Sequence, residues 1–230
     1  MKSSYYKYFA ALLLFGSNGI VASNINLPSY EIVLLRLLLG SLFLIAVFMA
    51  SGQKFTFYRN KHTCLYLFIS ASAMGASWML LYEAYHQVGV SIASLAYYCG
   101  PVIVMILSPF LFRETLTWPK IAGFLTVLAG MCLVNLQALD EGKTIWGLFC
   151  GLMSAFMYAL MVTANKKAKP ESGLENSLLQ LVIGSFIVVA FVSMQKNFVL
   201  SLTTIDWIPV LLLGLLNTGI GCYLYFSSIT

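Results

Sequence analysis

LLRLLLGS, residues 34–41, returns 144 residues later as LLQLVIGS, residues 178–185. The same shift pairs Ala46 with Ala190, Gly75 with Gly219 and Leu80 with Leu224 without a gap. Apolar stretches match by chance easily, but a common offset held across two successive segments is the mark of an internal duplication. Within that duplication one position stands out. Arg36 lies in an apolar run that continues almost to Ala50, and its repeat partner is the neutral Gln180. A charge at such a place costs about 2.5–3.5 kcal/mol on membrane-insertion scales, so something must compensate for it.

Composition says what surrounds these segments. The chain has 230 residues, 60% hydrophobic and 9% charged, against about 25% charged in soluble domains. So few charges cannot cover a water-soluble surface, and the lipid bilayer must solvate most side chains. The net charge of +5 then reports orientation and needs no nucleic-acid partner. Cys64, Cys99, Cys132, Cys150 and Cys222 show no metal-ligand spacing; they read as small apolar residues, with no metal site and no cofactor indicated.

Runs long enough to cross as helices, about 20 residues each, fall at 4–23, 29–50, 64–85, 91–112, 118–137, 145–165, 174–194 and 206–229. Lys2 and Lys7 before the first run resemble a signal peptide, but Gly16-Ser17-Asn18-Gly19 interrupts it and the duplication uses it as a structural element. The N-terminus and the second, fourth and sixth connections carry Lys2, Lys7, Lys54, Arg59, Lys61, Arg113, Lys120, Lys166, Lys167 and Lys169. The other connections carry only Lys143 and Lys196, which puts the N-terminus in the cytoplasm and the chain in the cytoplasmic membrane, multi-pass.

The first unit, 1–137, holds five spans. Because five is odd, the second unit, 145–230, starts on the opposite side of the membrane. The expected fold is an all-α polytopic membrane protein: an inverted repeat of five-helix units, with eight transmembrane helices present of an expected ten. Thr230 aligns with His86, so the register expects the counterparts of residues 91–137 beyond it, in a protein of about 280 residues. Completion by another subunit is the alternative. Inverted repeats are the architecture of many secondary transporters, whose substrate sites lie near the midplane where the repeats meet.

Residues 88–134, VGVSIASLAYYCGPVIVMILSPFLFRETLTWPKIAGFLTVLAGMCLV, resemble the fourth and fifth helices of the EamA-like transporters of the drug/metabolite transporter superfamily. Small residues (Ala93, Ala96) lead to a mid-span proline (Pro101), then an acidic residue (Glu114) and a Gly-rich helix (Gly123, Gly130). Arg36 and LYEAY at 81–85 also fit, and the resemblance covers the whole chain. It implies a ten-helix protein that moves small organic solutes across the membrane. The missing final helix pair departs from the pattern.

Several residues are candidates for a solute site. Arg36 either faces the bundle interior as an anion-binding group paired with Glu83 or Glu31, or snorkels or forms a static pair. Trp78 and Tyr82 share one helical face, and Tyr97 and Pro101 another; with Tyr98 they line a pocket for amphipathic solutes or form an interfacial belt. Glu83 and His86, three residues apart, form a proton relay or sit at the interface. Asn217, like Ser17, Asn18 and Thr218, hydrogen-bonds a solute or a neighbouring helix. Pro101 is a hinge or a tolerated helix proline. Gly147 and Gly151 let helices approach within the bundle or in a homodimer.

The expected function is a secondary transporter, an exporter or facilitator of amino acids or similar metabolites working by alternating access, with protons as a coupling ion to consider. No GxxxxGK[ST] motif is present, so ATP does not drive it directly. The rivals are a non-transporting membrane scaffold and an intramembrane enzyme. An enzyme needs convergent catalytic groups, and His62 and His86 fall on opposite sides of the membrane, so none is expected.

Overall fold

The computed structural model describes residues 2–113, 115, 117–135, 145–194 and 207–229. In order these form α1 (Lys2–Gly16), α2 (Asn18–Ala22), α3 (Ser29–Ser51), a 3-10 turn (Phe57–Arg59), α4 (Lys61–Tyr97), α5 (Cys99–Phe112), α6 (Trp118–Asn135), α7 (Ile145–Ala168), α8 (Gly173–Ser193), α9 (Trp207–Leu211), a π-helical segment (Leu212–Ile220) and α10 (Gly221–Ile229). All regular structure among the described residues is helical, as hydrocarbon demands of a chain that must satisfy its own backbone. Glu114, Lys143 and Lys196 lie outside the described residues, as do residues 136 and 137.

The burial pattern is inverted relative to a soluble domain. Ser70, Ser154, Asn176, Gln180 and Thr218 are completely buried, while Phe110, Ile145, Phe186 and Met194 are largely exposed. Apolar groups facing outward and polar groups facing inward is what a lipid solvent selects. The buried groups bond across helices. The Ser77 hydroxyl donates to the Ser154 carbonyl (2.9 Å) and the Ser154 hydroxyl donates back to the Ser77 carbonyl (2.7 Å), tying α4 to α7. Asn165 and Asn176 exchange two amide bonds between α7 and α8. Such bonds contribute about 0.6–2 kcal/mol each.

Among the described residues five helical runs are long and apolar enough to cross a membrane: Tyr30–Ser51, Lys61–Phe112, Ile145–Ala168, Gly173–Ser193 and Trp207–Ile229. These make the chain a multi-pass membrane protein. The runs differ from the eight read in the sequence for local reasons. The stretch 4–23 is divided at Ser17, whose hydroxyl donates to the Leu14 carbonyl (2.8 Å) and ends α1. The stretches 64–85 and 91–112 merge into one run that breaks at Gly89, with φ 78° and ψ 162°, a conformation only glycine adopts without strain. Pro101 does not interrupt a helix. It sits in the first turn of α5, where its missing amide has no intrahelical partner to lose.

The contacts between halves are reciprocal under the 144-residue shift. Ser41 and Ser185, themselves 144 residues apart, share a 3.0 Å hydrogen bond between α3 and α8. A Cβ on Gly40 would stand 2.8 Å from Thr218 and 3.1 Å from Leu181; one on Gly184 would stand 3.1 Å from Met74 and 3.8 Å from Leu37. Adding 144 to 40 and subtracting it from 218 and 181 converts the first set into the second. Gly75 against Ile187 and Gly219 against Phe43 obey the same exchange. Gly151 meets Ala96 and Ala84 of α4, so this GxxxG glycine packs inside the bundle.

At one end of the bundle Glu175 of α8 holds the connection after α3. Its carboxylate accepts from the Thr56 amide (2.5 Å), the Phe57 amide (2.9 Å) and the Thr56 hydroxyl (2.6 Å). Thr63 donates to the Ala168 carbonyl nearby (3.0 Å). The second and sixth connections therefore share one end of the molecule.

Candidate functional site: an aromatic cavity around Arg36

Arg36 is 2% exposed and has no carboxylate partner among the described residues. Three groups hold it instead. Nε donates to the Thr218 hydroxyl (2.9 Å), one terminal nitrogen, Nη1, donates to the Tyr82 hydroxyl (2.7 Å), and the guanidinium lies 4.2 Å from the centroid of the Trp78 ring. Thr218 is free to accept because its own proton goes to the Leu213 carbonyl, five residues back (2.7 Å), within the widened turns of the π segment. Trp78 and Tyr82, one helical turn apart on α4, present a ring face and a hydroxyl on the same side. A desolvated cation–π contact contributes about 2 kcal/mol, and hydrogen bonds to a charged group about 1.5–3 kcal/mol each. Together they offset the insertion cost of Arg36. The second terminal nitrogen, Nη2, is buried and has no hydrogen-bond partner among the described residues.

Arg36 of α3 lines a cavity of about 140 Å³ that is also walled by α1, α2, α4, α5, α7 and α10. Of the sequence-predicted residues, Arg36, Trp78, Tyr82, Tyr97, Tyr98 and Pro101 meet at this cavity. Glu83 and Asn217 do not line it. Glu83 accepts from the Gln87 amide (2.9 Å), and His86 is exposed. The Asn217 amide nitrogen lies 2.9 Å from the Leu14 carbonyl, the Ser17 hydroxyl and the Asn18 side-chain oxygen. It thereby pins the break between α1 and α2, from which Asn18 reaches the cavity.

The rest of the wall was not singled out in the sequence. Tyr158 of α7 and Tyr225 of α10 share a 2.9 Å hydroxyl–hydroxyl bond, and Tyr97 packs edge-on against Tyr158 at 5.4 Å between centroids. Both tyrosines, with Tyr8 and Pro101, also border a larger groove of about 490 Å³ that carries Lys120 and Lys166. The hydroxyl pair therefore lies on the wall shared by cavity and groove. The available signal was the polar tip of each ring within an apolar run, where hydrocarbon offers a phenol no partner.

The fold and the cavity define a class: a multi-pass helical membrane protein with a charged, aromatic-lined chamber inside its bundle. The description of the EamA-like transporter family matches residues 3–136 and 145–230. This chain belongs to the EamA-like transporter family, and it is a membrane transporter. It is 28% identical to the uncharacterized transporter YxxF of Bacillus subtilis, over 97% of this chain and 72% of that protein. It is 22% identical to the biotin transporter of Salmonella typhimurium, over 87% of this chain and 66% of that protein. A crystal structure shares the fold with a TM-score of 0.81 at 19% identity, covering 100% of this chain and 79% of the other.

Proposed function

We propose that the chain is a secondary transporter, an exporter or facilitator of small organic solutes, that works by alternating access with the Arg36 cavity as its solute site. The observation that carries this reading is the combination at Arg36: a buried guanidinium with one unpartnered nitrogen, in a chamber of aromatic rings. Purely structural arginines in membranes are closed off by partners; this one keeps a donor in reserve. In this reading Arg36, Trp78, Tyr82, Tyr97 and Tyr98 contact solute. Asn217 positions the α1–α2 break, and Pro101, at the junction of α4 and α5, is the hinge. Glu83, beside His86, is the group to test for proton coupling.

The architecture we infer is the inverted repeat, with eight spans in this chain, the N-terminus in the cytoplasm and the cell membrane as its location. The reciprocal contacts of Gly40 and Gly184 support the repeat. The loop basic residues support the orientation, since the second and sixth connections, which carry Arg59 and Lys167, meet at one end. The biotin transporters among the relatives make biotin one solute to include with amino acids in the test. In proteoliposomes, saturable counterflow of at least one labelled solute is expected, sensitive to Arg36→Gln. Leak-level flux across the whole panel, in a preparation shown to be folded, would contradict transport.

A further inference from the structure

We infer that the cavity selects amphipathic organic monoanions: a carboxylate on an apolar or aromatic body, without a fixed positive charge. This rests on reading the Arg36 cavity as the solute site.

Charge inventory is the first ground. Among the described residues Arg36 is the only formally charged one lining the cavity; the others are aromatic, aliphatic, thioether, thiol, hydroxyl or amide. The contacts with Thr218, Tyr82 and Trp78 are all to uncharged groups, so the guanidinium keeps its net charge and an entering anion completes a net-neutral pair. A zwitterion brings the carboxylate but also an ammonium, and no carboxylate among the described residues lines the chamber to receive it. Glu83, the nearest candidate on α4 by sequence, is outside the lining and already bonded to Gln87. The ammonium of an amino acid would be stripped of water without a counter-charge, which costs more than the aromatic faces return.

Geometry is the second ground. Thr218 and Tyr82 occupy Nε and Nη1, and Trp78 covers a face of the guanidinium. The group is held in place with Nη2 as its remaining donor, a pre-positioned partner for a carboxylate oxygen. Tyr97, Tyr98 and Phe226 supply the wall for the body of the solute. A cavity near 150 Å³ holds about one benzene-sized ring, so a single ring on a short acid chain suits 140 Å³. Lys120 borders the adjoining groove, where a cation raises the local concentration of anions on the approach.

A matched series with one carbon frame tests this: 3-phenylpropionate (anion), phenylalanine (zwitterion), 3-phenylpropionamide (neutral) and 3-phenylpropylamine (cation), titrated calorimetrically into the purified chain. The propionate is expected to bind about tenfold or more tightly than each of the others, the difference of one charge-assisted hydrogen bond. Arg36→Gln should reduce its affinity to that of the amide, and Arg36→Lys should keep the preference for the anion at weaker affinity. The wild-type series alone decides the class even where a variant fails to fold. Phenylalanine or the amine binding as tightly as the propionate overturns the monoanion assignment; if Tyr97→Ala abolishes that binding, the cavity survives as the solute site. Binding of no member, or binding unaltered in both Arg36→Gln and Tyr97→Ala, overturns the assignment and the cavity reading together.

Discussion

Arg36 and Gln180 stand at matching places in two similar stretches 144 residues apart, LLRLLLGS and LLQLVIGS, yet they live in different surroundings. Arg36 is held by Trp78 and Tyr82 of its own half and Thr218 of the other. The residues that the 144-residue shift places opposite Gln180 are Cys222, Phe226 and Met74, which offer no hydroxyl and one ring. Gln180 donates instead to the Ser70 hydroxyl (2.9 Å), which passes its proton to the Met161 carbonyl (2.9 Å), and the amide oxygen of Gln180 has no partner among the described residues. The glycine-to-side-chain approaches of Gly40 and Gly184 are reciprocal, while the chemistry is one-sided. If the two stretches are repeats, as we propose, one of two matching positions carries a charge because its neighbouring helices supply the Trp78 ring face and the Tyr82 and Thr218 hydroxyls.

Moving the charge to the other half should have the largest effect. Gln180→Arg buries a second guanidinium without counterparts of the Trp78 face and the Tyr82 and Thr218 hydroxyls that hold Arg36, and should destabilise the protein by about 3 kcal/mol or more. Thermal unfolding in detergent reads this as a marked loss of melting temperature; a melting temperature equal to that of the wild type would show the halves to be interchangeable. The reverse substitution comes next. Arg36→Gln leaves Tyr82 and Trp78 without their cation and should cost about 2 kcal/mol, with flux lost to a greater degree than stability. Arg36→Lys should restore more flux than stability, because a point charge replaces the planar fork.

Smaller effects sharpen the comparison at the cavity wall. Tyr225→Phe removes the hydroxyl bond to Tyr158 at the boundary between cavity and groove. It should cost about 1 kcal/mol and make solute exchange faster, read as a raised counterflow rate at unchanged protein amount. Gln180→Leu should be the mildest change, within about 1 kcal/mol of wild type, since it deletes one bond and one unpartnered oxygen together. A loss of flux in Gln180→Leu equal to that in Arg36→Gln would make the two positions functionally equivalent and break the comparison.

The sequence made part of this visible. The membrane setting and the helical class followed from composition, because a lipid solvent leaves marks that short windows record. The shared face of Trp78 and Tyr82 was legible from spacing alone. The partner of Arg36 was not. Charge complementarity pointed to Glu83 or Glu31, whereas the structure uses ring faces and hydroxyls, including Thr218 from 182 residues away. Uncharged partners at such separation leave no sequence signature. The π segment was equally hidden, since its widened turns depend on the packing of Gly214 and Gly219 against Leu39 and Phe43 of α3. The break at Gly89 lay in the expected connection, but the continuation of helix on both sides of it did not follow from the pattern.

The claim on which the rest depends is that the Arg36 side of the duplicated pair is the solute site. Counterflow in proteoliposomes, run side by side for the wild type, Arg36→Gln and Gln180→Leu with one labelled solute that the wild type exchanges, tests it directly. Near-complete loss of saturable exchange in Arg36→Gln, with wild-type exchange in Gln180→Leu at equal folded protein, is the expected result. Undiminished exchange in Arg36→Gln would contradict it.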